Sequence, residues 1–533
     1  MRNFEIILAL LFVAALLQPL AKRLDVPLAI AQVVCGLGLS AIPMVHQLEI
    51  DPDLTFTFFV PPLLFFASAT GSLRDVKRNA RPILLLAVAL VLVTTAAVAM
   101  IVHAAVPSIA WPAAFVLGAI VAPPDADVTT SIARRLGISA RLVTILEGET
   151  LLNDTTAFVT YRAAVRAVVI GAFSLSEAAS RFVVTAALGV AVGIVVGLLL
   201  SLLGRILEDS IVATAISLVT PFGAYLLAEQ IGGSGVLAVV ITGFCFSRFV
   251  PRTLSARTRV RARSVWETVT FCVGALVFTL IGVQLGRFAP SLWGDFSLLR
   301  LVLLVSATVI LSRVLWVFPA AYVPRWLSRR LRESDPYPPW QSLAVLSWAG
   351  LRGGDTLVMV LAIPFRTVAG APFPARETIV TVALGVILVT LVLQGLSLRP
   401  LIRGLELPHD ASVEAEERRA RLAAARAQTR RLDEIIEREH LPRGIAGYLR
   451  AQIRFQTRLD LDEIEHAGGH DGKTTEDTVR HVQQELRKAA RQAVVRMRDE
   501  NAIGQEALRR VLNDIDLDEI RDIDELLTRE PTQ

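Results

Sequence analysis

Cysteine is nearly absent: three residues in a chain of 533, all of them (Cys35, Cys245 and Cys272) inside long apolar runs. An odd number in such places excludes a disulfide framework and leaves small, buried apolar side chains. Histidine is scarce too, seven in all. The one close pair, His466 and His470, stands in a Gly-rich loop without further ligands and reads as solvated rather than as a metal site. Blocks of like charge are missing from the hydrophilic C-terminal part, where the sign fluctuates, so a nucleic-acid surface has no support. No cofactor is expected.

What the chain has instead is apolar length. Hydrophobic residues make up 53% and the mean hydropathy is +0.54. Apolar runs recur at 4–20, 26–42, 54–70, 82–106, 111–133, 142–170, 182–203, 211–230, 234–249, 265–285, 298–322, 340–364 and 377–398. Nine of the thirteen reach the roughly 20 residues that cross a bilayer core of about 30 Å and the other four come close, which makes this an all-α polytopic membrane protein of about thirteen spans. A cleaved signal peptide is a poorer reading of the first run: only Arg2 precedes it, no small-residue cleavage site follows, and the second run starts almost at once.

Absence of basic residues orients the spans. The gaps at 43–53, 106–110 and 229–235 contain no Lys or Arg. The gaps between them carry Lys22 and Arg23; Arg74, Lys77, Arg78 and Arg81; Arg134, Arg135 and Arg141; Arg205; Arg248 through Arg263; and Arg325 through Arg332. The positive-inside rule then puts the N-terminus outside and the C-terminus in the cytoplasm of a multi-pass cell-membrane protein. These anchoring arginines account for the pI of 9.4.

Composition changes near residue 405, which divides a transmembrane domain, 1–405, from a cytosolic helical domain, 406–533. Helical spacing runs over 414–437 and 475–501, and Leu422, Ala425, Leu432, Ile435 and Ile436 make one apolar face, suited to packing within the domain or against a twin subunit.

Two spans are interrupted deep inside, the fifth by Pro123-Pro124-Asp125-Ala126-Asp127 and the twelfth by Gly350-Leu351-Arg352-Gly353-Gly354-Asp355. Proline removes a donor and clashes with the preceding turn, and glycine frees the backbone. Open peptide groups cannot face lipid, so both breaks are buried or line a wet cavity. Fifth and twelfth are an odd number of spans apart, so the broken helices run in opposite directions. That is an inverted repeat with two broken crossing helices, a secondary-transporter design that sets half-helix ends around a midplane ion site.

The sixth span holds Glu147, Glu149 and Asp154. Asp154 lies thirteen residues beyond the basic Arg141, roughly 20 Å of helix, hence near the bilayer centre, where an acid costs about 2.5 to 3.5 kcal/mol and by default marks an ion or proton path. Thr150 shares its face, with Asn153 beside it and Glu149 one turn below Asn153. A carboxylate, an amide oxygen and a hydroxyl, helped by carbonyls from the Pro-Pro break, are hard ligands for a small monovalent cation. When the cation leaves, a proton must replace it, since the bare anion is the expensive state in low dielectric. One carboxylate holding cation or proton in competition suffices for exchange. For Asp125, ligand and helix cap both stay open; Asp127 is a weaker candidate. Arg352 cannot deprotonate and needs a buried partner, for which Glu149 is the best choice, as a structural ion pair.

The residues that carry this reading are Pro123-Pro124-Asp125, the run Ile145-Leu146-Glu147-Gly148-Glu149-Thr150-Leu151-Leu152-Asn153-Asp154, Leu280 through Leu285, and Trp348-Ala349-Gly350-Leu351-Arg352-Gly353. In order and placement they resemble the monovalent cation:proton antiporter-1 family, the NhaP- and NHE-type sodium/proton exchangers, over most of 4–405. The resemblance implies thirteen spans, a homodimer and a six-helix core that moves against a dimerisation domain. It also implies an ion-binding pair Asn153 and Asp154, Thr150 as hydroxyl ligand, Asp125 as the acid of the unwound fifth helix, and Glu149 with Arg352 as the structural pair. Asn before Asp154 implies electroneutral exchange of one sodium or potassium per proton. The chain departs from the family where Pro61-Pro62 is followed by Leu63 and Leu64 instead of an acid, where Pro124 replaces Thr, and where Gly274 replaces Asn. Asp127 and Asp355 are extra acids, and either replacing the missing carboxylate or standing in a wet funnel fits them.

The expected function is therefore antiport of sodium, with potassium or lithium open, against protons, a task in pH homeostasis and no enzyme. A non-transporting membrane ion sensor is the alternative. An intramembrane aspartyl protease using Asp154 and Asp355 is disfavoured, since Arg352 stands two before Gly354 where such enzymes carry Gly.

Overall fold

A computed structural model describes residues 2–24, 26–46, 52–125, 129–130, 132–133, 138–170, 175–206, 209–368, 370–406, 412–439, 442–456 and 474–527. Among the described residues, every predicted span contains helix. In order these are α1 (Arg2–Leu24), α2 (Leu28–Leu39), α3 (Pro52–Thr70), α4 (Ala80–Ala105), α5 (Trp111–Val121), α6 (Ala140–Ile170) and α7 (Leu175–Ile206). They continue as α8 (Ser210–Gln230), α9 (Gly235–Thr253), α10 (Ala256–Gly294), α11 (Phe296–Leu327), α12 (Trp340–Trp348), α13 (Gly354–Leu361) and α14 (Arg376–Gly404). No β-strand occurs among the described residues, only an isolated bridge between Arg366 and Pro372. Lipid offers no hydrogen bonds, so helices that satisfy their own backbone are what such runs must form.

Among the described residues, seven helices are long and apolar enough to cross a membrane by themselves, and four shorter apolar helices join them. The exceptions are instructive. α6 carries the three acids, while α5, α12 and α13 are cut short by the breaks. α5 stops at Val121, and α12 and α13 are separated by non-helical 349–353. α4 contains a π-helical turn, Leu85–Leu90, and the Leu85 carbonyl at its start accepts from Trp316 Nε1 of α11 at 3.0 Å.

Two compact units divide the chain. The first gathers 1–203, 215–248 and 264–409. Its apolar core is one continuous cluster running through α3 to α6 and α10 to α14. Small residues let backbones meet: a Cβ on Gly36 of α2 would stand 2.0 Å from the Thr279 carbonyl of α10, and one on Gly282 2.0 Å from the Val33 carbonyl.

The second unit gathers 204–214, 249–263 and 410–533. It contains α15 (Ser412–Glu439), α16 (Arg443–Gln456), α17 (Thr474–Asp499) and α18 (Gln505–Leu527), of which α16 and α18 add to the two helical stretches expected. Ala425, Leu432 and Ile435 are buried with Leu449, Val482 and Leu486, and Ile436 packs alongside, so this face serves packing within the domain. Leu422 is half-buried. The unit also holds the first turns of α8 and α10. There Arg259 forks onto the buried Asp516 of α18, which Arg491 of α17 contacts at 3.0 Å.

Candidate functional site

The two breaks meet. Asp125, the last described residue of the first, donates its N–H to the Leu351 carbonyl at 2.8 Å, and its Oδ2 accepts the Gly354 N–H at 3.0 Å. Asp125 thus caps the opposite broken helix: its carboxylate faces the first turn of α13, where unpaired N–H groups and the helix dipole favour an anion. The approach is close enough that a Cβ on Gly353 would fall 2.3 Å from that oxygen, so glycine is required there.

α6 passes this crossing with its acids inward. Glu149 is 1% exposed, Asn153 0% and Asp154 1%, and Thr150 is half-buried. Asn153 Nδ2 donates to the Pro124 carbonyl at 2.9 Å, which commits the nitrogen to the first break. Its Oδ1 is buried without a hydrogen-bond partner and is therefore an available acceptor. The Thr150 hydroxyl donates back to the Leu146 carbonyl at 3.1 Å, leaving its lone pairs as ligands. Carboxylate, amide oxygen and hydroxyl lie within two turns of one helix, beside a stretch of open backbone.

The ion pair falls elsewhere than the sequence suggested. Glu149 is held by Arg313 of α11, bidentate at 2.5 and 2.8 Å, with Arg313 Nε donating to the Leu346 carbonyl at 3.0 Å. Arg352 instead reaches the last carbonyls of α5, Val121 at 2.8 Å and Ala122 at 2.9 Å, and also the Gly350 carbonyl. The physical reason is the half-helix end: its unsatisfied carbonyls form a partly negative ring that a guanidinium fills well. Arg313, on an intact helix, can present its fork squarely to the carboxylate. A Cβ on Gly350 would meet both guanidinium-bearing side chains, Arg313 Cδ at 2.7 Å and Arg352 Nη1 at 3.1 Å.

Asp355 is half-buried on the first turn of α13, and Asp127 lies outside the described residues. No acid follows Pro61-Pro62 within α3. Three residues escaped the sequence reading. Arg313 is an arginine amid the 298–322 apolar run, a signal of the same kind as Asp154. Thr356, on the first turn of α13, is fully buried with an unpartnered hydroxyl. Gln394 is a buried amide inside the 377–398 run.

The model of the family described as sodium/hydrogen exchanger, transmembrane, matches residues 7–404. An uncharacterised Na+/H+ exchanger of Mycobacterium tuberculosis is 32% identical over 525 residues, 97% of this chain and 96% of its own. The low-affinity Na+/H+ antiporter NhaS1 of Synechocystis is 32% identical over 420 residues, 76% of each chain. A sodium, potassium, lithium and rubidium/H+ antiporter of Bacillus subtilis is 31% identical over 404 residues, 73% of this chain and 60% of its own. Among solved structures, the sodium proton antiporter MjNhaP1 of Methanocaldococcus jannaschii superposes with a TM-score of 0.61 at 17% identity, covering 76% of this chain and 99% of that one, a likeness of fold.

Proposed function

The chain belongs to the sodium/hydrogen exchanger family, and from that premise we propose that it exchanges one monovalent cation for one proton, with Asp154 holding either in turn. The observation that carries the reading is Asp154 itself, 1% exposed on α6, next to an Asn153 whose amide nitrogen is tied to the first break and whose oxygen is free. Thr150 supplies a hydroxyl oxygen, and Thr356 offers a second. Asp125 acts chiefly as the clasp of the crossing. Glu149 with Arg313, and Arg352 on the α5 carbonyls, hold the surrounding helices and leave Asp154 as the exchangeable charge. Because only a neutralised site moves cheaply through low dielectric, cation and proton travel in opposite directions.

Sodium is the first choice of cation. The Bacillus relative, named for four alkali cations, and the Synechocystis relative, named for sodium at low affinity, define the panel to be tried. The Asn at position 153 supports electroneutral exchange. Residues 1–405 form the transport domain of a cell-membrane homodimer with its N-terminus outside, and 406–533 a cytosolic domain. The test is dissipation of a pH gradient in proteoliposomes on addition of sodium, lithium or potassium, with and without a potential shunt. Exchange with at least one ion, indifferent to the shunt, is expected; no exchange with any would overturn the reading.

A further inference from the structure

Gln394 of α14 is 0% exposed, and neither its amide oxygen nor its amide nitrogen has a hydrogen-bond partner. A buried primary amide left unsatisfied at both ends is costly and calls for a partner from outside the chain. Its surroundings are fixed by its neighbours on the helix. Thr390, four residues before it, accepts the Arg352 N–H at 3.2 Å, and Ser397, three residues after it, accepts from Trp348 Nε1 at 2.8 Å. Positions 390, 394 and 397 form one stripe. Gln394 is therefore flanked along that stripe by residues bonded to the two ends of the second break, and a Cβ on the adjacent Gly395 would stand 3.3 Å from Leu351. On the break's own approach, Ser347 is likewise buried, 3% exposed, with an unpartnered hydroxyl.

We propose that Gln394 anchors a buried water site against the second break and, through that water, is a positioning residue for the 349–353 segment that carries Arg352. The ligand must both donate and accept, as an amide offers one of each. Arg313 and Arg352 both border Gly350, with Glu149 paired to Arg313, so a cation is disfavoured and a neutral ligand fits. Water fits, and buried waters of this kind usually make two to four bonds to otherwise orphaned polar groups. The site leaves the break attached to α14 by Thr390 and Ser397 at its ends and by an exchangeable molecule in the middle.

The role in transport rests on the exchange reading above; the water site does not, and the test separates them. X-ray radiolysis of the purified protein generates hydroxyl radicals from bound water, so oxidation of Leu351, 1% exposed and next to Gly395, reports the site. Gln394→Met, close in shape and without hydrogen bonds, is expected to cut Leu351 oxidation severalfold and to leave or raise the unfolding temperature. In proteoliposomes it should lower the maximal exchange rate at least tenfold while the apparent KM for the cation stays within about twofold. Gln394→Asn should keep part of both signals. Unchanged Leu351 oxidation would overturn the site. Wild-type exchange in Gln394→Met, or a loss of exchange that merely follows a loss of folded protein, would overturn the positioning role. Should Gln394→Met fail to fold, Gln394→Asn decides by the same two readings, an unaltered rate and unaltered oxidation counting against the proposal. A wild type that transports nothing would end the exchange reading while the oxidation measurement still judged the water.

Discussion

Replacing a carboxylate by its amide changes charge at constant shape, which makes Asp154→Asn the sharpest single substitution in this chain. The variant is expected to insert and fold normally and to lose cation-dependent proton movement at least a hundredfold in vesicles; robust exchange would reassign the site. Glu149 and Arg313, both 1% exposed, call for a different experiment. Glu149→Gln or Arg313→Leu strands a buried partner and should cost about 3–5 kcal/mol, whereas Glu149→Leu with Arg313→Leu should restore much of it. Thermal unfolding in detergent of the two singles and the double checks this. The burial of Asp154 and Asn153 beside Thr150 was legible because an acid inside an apolar run is conspicuous and helical spacing states which residues lie near it. The partner of Glu149 was not, since two arginines are buried in apolar runs and only the fold decides which one meets the carboxylate. Thr356 and Gln394 were illegible for another reason: a hydroxyl or an amide is an ordinary passenger in a span until burial shows it unpartnered.

At the scale of helices, the breaks could be read from Pro123-Pro124 and the glycines at 350, 353 and 354. That they touch, and that Asp125 caps α13, depended on a register no sequence spacing records. Where α2 and α10 cross, Gly282→Val is expected to push the helices apart, with lower folded yield by size-exclusion chromatography, because its Cβ would overlap backbone rather than a yielding side chain. On the basic loops, Asp335 pairs with Arg141 at 2.8 Å and Arg325 at 2.5 Å. Burial raises the carboxyl's affinity for protons, but the hydrogen bond and charge of Arg141, together with Arg325, outweigh it and hold Asp335 below the usual carboxylate range. A depressed carboxyl contributes stability above its unfolded pKa of about 3.9, and that stability is lost as pH falls through the lower folded value. Asp335→Asn should therefore unfold at a lower temperature than wild type at pH 7, and the gap should close as the medium is acidified below pH ~4.

For the molecule as a whole, composition gives no sign that the second unit includes the first turns of α8 and α10. Asp516 neutralises two arginines there, so Asp516→Ala should expose residues 410–533 to limited proteolysis at lower protease concentration, and equal resistance would show the pairing to be dispensable. The bond from Asp125 to Gly354 also imposes an order of events on biosynthesis. The partners are 229 residues apart. At about 5–20 residues per second, roughly ten to forty-five seconds pass between translation of one and of the other. Throughout that interval the first break is already made while its capped helix does not yet exist. Asn153 follows Pro124 by only 29 residues, so its amide reaches the exposed carbonyl within a few seconds at the same rate. Asn153 thus serves first as a chaperone in cis, covering the carbonyl of an unfinished turn until the far half of the chain arrives.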